Sequence, residues 1–188
     1  VILTMGMAHQ RSLIRSAVAA LLVNANTSAG ARVSATRVEP HQGRGLPAIS
    51  VYTLSESLND DLSRLSAPRE LTRDLKLEIA AWVAHSDAFP VDDAMDAMAE
   101  QIEAVMSADR WLSGTAAESI YESTEMQVVE DDGHSDPLVG IVTLTYSVTY
   151  RTVPAVAALN DFVTVDVIEK IAGGVSDTVP AEDQFTVR

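Results

Sequence analysis

Between Glu70 and Met106 the spacing of apolar residues changes from every second residue to every third or fourth, and no other feature constrains the fold as tightly. In ELTRDLKLEIAAWV, Leu71, Leu75, Leu77, Ile79, Ala81 and Val83 share one parity, interrupted only by Arg73. Thr72, Asp74, Lys76 and Glu78 take the other parity, so the segment predicts a strand with one buried and one wet face. Pro90 ends that pattern. Met95, Met98, Ala99, Ile102, Val105 and Met106 then form a helical stripe, with Asp92 or Asp93 placed to cap its start. A long strand followed by an acidic amphipathic helix makes one packing unit, which the rest of the chain is expected to complete and cover.

The chain is long enough for this unit to sit in a full core. A domain of 188 residues buries about 70% of its unfolded surface without staples. A single domain over 1–188 is expected, with 1–8 as an N-terminal extension and 169–188 as a C-terminal one. VILTMGMAHQR lacks a basic region ahead of its apolar residues, so a signal peptide is not expected. No apolar run reaches the ~20 residues that span a bilayer. Cysteine is absent, which removes disulfides and thiolate metal sites.

Other segments supply partners for the central unit. His9–Asn26 predicts a first helix, with Ile14, Ala17, Val18, Leu21, Leu22 and Ala25 on its buried face. Arg11 and Arg15 lie four apart on a common side, expected to face solvent or a partner. NANTSAGA follows, where Gly30 can take a left-handed conformation. Arg32–Glu39 and Ala48–Leu54 predict two strands around PHQGRGLP, whose G-R-G lacks the context of a nucleotide loop. Ser55–Arg69, polar and interrupted, predicts a long loop serving as an arm or docking segment. Trp111–Glu118 predicts a turn around Gly114. Ile120–Val128 and Leu138–Arg151 predict a hairpin over the turn Glu130–Pro137. Leu138, Val142, Leu144, Tyr146, Val148 and Tyr150 share its buried parity. The tail predicts a helical piece at Pro154–Leu159, a strand at Phe162–Ile168, a Gly-Gly linker and a strand-like QFTV. The fold class is α+β: an antiparallel or mixed sheet with two main helices on one face.

Charge is unevenly divided. Residues 1–50 carry five arginines and one glutamate, whereas 51–188 carry eight basic and twenty-six acidic groups, for a net −14. No broad basic surface is present to displace counterions from phosphate, so tight nucleic-acid binding is not expected. Acids on such a surface keep a protein soluble, and they also let a polyanion pass without adhering.

Catalytic patterns are missing from the sequence. His9, His41, His85 and His134 fall on different elements without metal-ligand spacing, and no serine sits in G-x-S-x-G. Asp92, Asp93, Asp96, Glu100 and Glu103 share helical faces that a divalent cation can bridge in principle. Acids in a first turn are equally explained by the helix dipole, at about 0.3–1 kcal/mol each, and the others by a wet face. Asp131–Asp132–Gly133 lacks the glutamate of a calcium loop and reads as a turn. No catalytic, cofactor-binding or metal residue is assigned, and no enzyme activity is expected.

The order of the pieces is more specific than any one of them. R-S-L-I-R-S-A-V-A-A-L-L leads into SAGARVSATRVEP, then LPAISVYTLSES, ELTRDLKLEIAAWV and DDAMDAMAEQIEAVM. LTYSVTY, LNDFVTVDV and EDQFTV close the succession. From about Arg11 to Val187 this order resembles the tail terminator proteins of long-tailed bacteriophages, the family of the minor tail protein U. The chain departs from that pattern most at Ser55–Arg69 and in its C-terminal extension. The resemblance implies a structural virion protein, located in the tail or neck and in the host cytoplasm during assembly. It implies a self-assembled ring, typically a homohexamer, at the head-proximal end of the tail tube. Its partners would be the major tail tube protein and the head–tail connector protein. Genomic DNA would pass the lumen without specific binding, with Asp74, Glu78 or the acids of Glu122–Glu130 facing it. A head–tail joining protein of the neck is the related alternative. A small metal-dependent α+β enzyme using Asp92–Glu103 is the unrelated one.

Overall fold

In a computed structural model, Glu70–Ala84 is the middle strand of a five-stranded sheet. The structure describes residues 9–36, 45–64, 70–84, 90–129 and 139–154, all within the unit Val1–Pro154. Its elements are α1 (Gln10–Asn24), β1 (Val33–Ser34), β2 (Ala48–Arg64), β3 (Glu70–Ala84), α2 (Val91–Ala108), β4 (Glu118–Val129) and β5 (Val139–Thr152). Strand order is β1-β2-β3-β5-β4, and the sheet is mixed: β1 runs parallel to β2, and every other neighbour is antiparallel. The fold is α+β, as the succession of periods predicts.

The parity read from the sequence sets the layers. Leu75, Leu77, Ile79, Ala81 and Val83 of β3 are buried on the side that also receives Val142, Leu144, Tyr146, Val148 and Tyr150 of β5. Ile49 and Val51 of β2 continue that surface. Both helices cover it: Ile14, Val18, Ala19 and Leu22 of α1 join Val91, Met95, Met98, Ala99, Ile102 and Met106 of α2 in one core. Each large side chain fully buried there contributes about 1.5–3 kcal/mol. The two helices also meet through the turn after α1, where Ser28 N–H donates to Gln101 Oε1 at 2.7 Å. Gly30 is left-handed at φ +57°, as the turn requires.

Several expectations need correction. Ser55–Arg64 is not a loop but the second half of β2, paired with β3 through Asn59↔Thr72 and Arg64↔Glu70. Two register irregularities, between Thr53 and Ser55 and between Asn59 and Arg64, hide the strand from a period-two reading. Residues 65–69, the remainder of that predicted loop, lie outside the described residues. Thr72 is buried, not wet, because its hydroxyl donates to the Leu62 carbonyl at 2.9 Å and its N–H to Ser63 Oγ at 3.0 Å. Neither Asp92 nor Asp93 caps α2. Pro90 occupies the cap position with no side-chain hydrogen bond, which leaves both aspartates inside the first turn. There they face the helix dipole instead of accepting a capping bond. Of the predicted strand Arg32–Glu39, residues 32–36 form a strand at Val33–Ser34 and 37–39 lie outside the described residues; Ala25 is an exposed C-cap instead of a core residue. The predicted turn at Glu130–Pro137, the elements after Pro154, and both terminal extensions lie outside the described residues.

Candidate functional site

Arg73 is the exception to the buried parity of β3, and its surroundings explain it. The register places Arg73 opposite Leu58 of β2 and Tyr150 of β5, on the helix-bearing side. The bulge at Leu54 turns Glu56 onto the same side, where Arg73 Nη1 donates to Glu56 Oε1. Tyr150 Oη donates to Glu56 Oε2, and Arg11 Nε from α1 lies 3.5 Å from that oxygen. Only 11% of the Glu56 side chain is exposed. Burial pushes its carboxyl up, but the Tyr150 hydroxyl and the Arg73 and Arg11 guanidiniums outweigh burial and hold it below its ordinary value. Burial, with Glu56 beside it, pushes the Tyr150 phenol well above its usual range. This cluster clamps α1 to β2, β3 and β5. Both oxygens of the Glu56 carboxylate are thereby paired.

Arg15 is likewise turned inward: Nε donates to the Ala35 carbonyl at 3.1 Å and Nη1 to Thr53 Oγ1 at 3.3 Å. Arg15 thus braces α1 against its own sheet, although the sequence places it toward solvent or a partner, whereas Arg11 reaches Glu56 and stays exposed. His9 is an exposed N-cap whose Nδ1 accepts from the Arg11 N–H at 3.2 Å. His41, His85 and His134 lie outside the described residues. Asp92, Asp93, Asp96, Glu100 and Glu103 are all exposed on α2, and no metal-holding group of three or more His, Asp or Glu occurs among the described residues.

The opposite side of the sheet is acidic, and no described element packs on it. The register puts Asp74 and Glu78 there with Thr143, Thr145, Ser147 and Thr149 of β5. Asp74 accepts from Asn59 Nδ2 at 2.9 Å and Thr149 Oγ1 at 2.8 Å, and Glu78 accepts from the Tyr52 hydroxyl. Lys76 reaches Glu122 at 3.1 Å, and Glu125 is exposed farther along β4. These hydrogen bonds fix the carboxylates as a polar lattice on a Ser/Thr-rich surface. The side is negative on balance, although Lys76 and Arg151 also lie on it and Ser50, Thr72 and Ala80 are buried within it. Asp131 and Asp132 lie outside the described residues.

Both ends of the sheet present strand edges. β4 pairs only with β5 among the described residues, and Ile120, Tyr121, Met126, Val128 and Val129 on it are exposed. On the other side, among the described residues, β1 pairs with Ile49 and Ser50 of β2. Beyond it Leu54, Leu58 and Leu62 are exposed, Leu62 by 61%. Strand edges that bear apolar side chains and have no partner among the described residues are templates for another chain; β4 contains neither Lys nor Pro, although Glu118, Glu122 and Glu125 and a bulge between Tyr121 and Ser123 blunt it in part. The sequence hid the β2 edge, because three leucines four residues apart do not alternate.

No helix among the described residues is long and apolar enough to cross a membrane. Comparison with protein-family models and with curated proteins finds no match.

Proposed function

We propose that this protein is a structural component of a bacteriophage virion, forming a ring at the head-proximal end of the tail tube. There it ends tube polymerisation and provides the surface to which the head attaches. One observation supports the reading most: segments that carry the resemblance to tail terminators assemble into one sheet whose two ends are strand edges with exposed leucine, tyrosine and methionine. A tube of identical subunits always presents the same addition surface at its open end, so a different molecule must occupy that surface to stop growth. A subunit that closes on copies of itself needs two different patches, which meet head to tail around the ring. The acidic side of the sheet, with Asp74, Glu78 and Glu125, is suited to line a lumen, because fixed negative charge repels passing DNA.

The test adds purified protein to polymerising tail tube protein and measures tube lengths by electron microscopy. The expected result is arrested growth with the protein at one tube end. Unchanged tubes together with binding to purified heads would overturn the terminator reading in favour of a head–tail joining protein.

A further inference from the structure

We infer that the β4 edge of one copy pairs with the β2 edge, Val51–Asn59, of the next copy, so that the sheet runs on from subunit to subunit; this rests on the ring reading above. Strand polarity permits it. Within the sheet β2 and β4 run antiparallel to each other, since three antiparallel steps separate them. Copies placed side by side in the same orientation therefore meet as an antiparallel pair. Length permits a seam shorter than β4: β4 has 12 residues, about 40 Å of edge, whereas β2 beyond β1 keeps its ladder with β3 from Val51 to Asn59, and past it the Leu62 N–H donates to Asn59 Oδ1. Leu58 of β2 and Met126 and Val128 of β4 all face the helix-bearing side, so their apolar surfaces would adjoin across the seam.

Charge argues against one two-fold alternative, the pairing of β4 with β4. The flank holding α1, β1 and β2, residues 9–36 and 45–64, is close to neutral, with four arginines and three acids. The flank holding α2 and β4, residues 90–129, carries nine acids and one arginine. Pairing β4 with β2 brings the acidic helix α2 of one copy beside the basic helix α1 of the next. Arg11 there is 45% exposed. Pairing β4 with β4 would set acid against acid, which is disfavoured at short range. The structure therefore favours over it a head-to-tail contact, the kind that closes into rings.

The absence of cysteine makes a direct test simple. Ser57 of β2 and Ser123 of β4 are exposed and lie on the same, open face of the sheet. Full-length Ser57→Cys and Ser123→Cys chains are treated with a short bismaleimide, alone and mixed, both free and assembled on purified tail tubes. The expected result is cross-linked dimers from the mixture but not from either variant alone, and a ladder ending at the closed ring from the double variant. Raising salt from about 0.05 M to about 0.5 M should lower the yield several-fold. Self-linking of Ser123→Cys at the yield of the mixture, or no mixed product free or on tubes, overturns the seam. Mixed linking by a protein that leaves tube length unchanged would keep the seam and remove the tail reading. Arrested tubes with self-linking only would do the reverse.

Discussion

Gly140 lies in β5 directly beneath α2. A Cβ built there would stand 2.7 Å from Met95 Cγ, 2.7 Å from Val91 Cγ2 and 2.8 Å from Met95 Sδ. Carbon atoms pack best at about 3.5–4.0 Å, so an alanine needs most of an ångström of relief. Neither neighbour yields it easily. Val91 is β-branched with one favoured helical rotamer, and Met95 Cγ lies near the backbone end of its side chain. Replacing glycine within a strand recovers about 0.5–1 kcal/mol of backbone entropy. Overpacking a filled core costs about 1–3 kcal/mol. Overlap wins, and Gly140→Ala should lower stability by about 1 kcal/mol, with Gly140→Val lower still. Urea denaturation followed by circular dichroism reads the change in midpoint at constant slope. Because the clash is with named side chains, Val91→Ala should recover part of the loss in a double-mutant cycle, with a coupling of about 0.5–1 kcal/mol. An unchanged or raised midpoint for Gly140→Ala, or strict additivity with Val91→Ala, would refute the close approach of α2 to β5.

Ile79 is fully buried between Val51 and Leu144, so Ile79→Asp should abolish cooperative unfolding, whereas the exposed Lys76→Gln should shift stability by less than about 0.5 kcal/mol. Comparable losses in thermal melts would refute the assignment of the two faces. The Glu56 carboxyl is held below its ordinary value in the fold, so its stabilisation is complete above its unfolded pKa, 4.5, and disappears as pH falls through the lower folded value. Denaturation of wild type and Glu56→Gln from about pH 7 to about pH 3 should show a stability gap that is widest near neutrality and narrows in acid. A gap independent of pH would refute the ion cluster. Tyr150→Phe, which removes a hydrogen bond to that carboxylate, should cost about 1.5–3 kcal/mol near neutrality by the same measurement.

The elements legible in the sequence were those whose burial follows one uninterrupted period. β3, α2 and β5 come nearest to that condition, with Thr72 and Ala80 of β3 buried off parity, whereas β4 carries a bulge between Tyr121 and Ser123 and buries no residue. β2 does not meet it: the bulge after Thr53 exchanges its faces, so Glu56 sits where a period-two reading places a solvent-facing residue. The signal that could have recovered it was Arg73. A guanidinium on the buried parity of a central strand needs a carboxylate, and Glu56 in the adjacent polar run supplies one. Valine and alanine mark strand propensity across residues 32–36, while pairing with β2 among the described residues reaches two of them. The acidic face was partly legible, since alternation alone places Asp74 and Glu78 together. Their hydrogen bonds to Asn59, Thr149 and Tyr52 depend on neighbouring strands and cannot be read from one.

The most direct measurement of the proposed role is the length distribution of tails in a lysate from which this gene has been deleted, read by electron microscopy. Without a molecule to occupy the open end, tube growth has no stop, so the expected particles are headless tails running past the normal length beside filled, unjoined heads. Tails of uniform normal length would contradict termination by this protein, and a complete absence of tails would place it in tube initiation or in the tube itself.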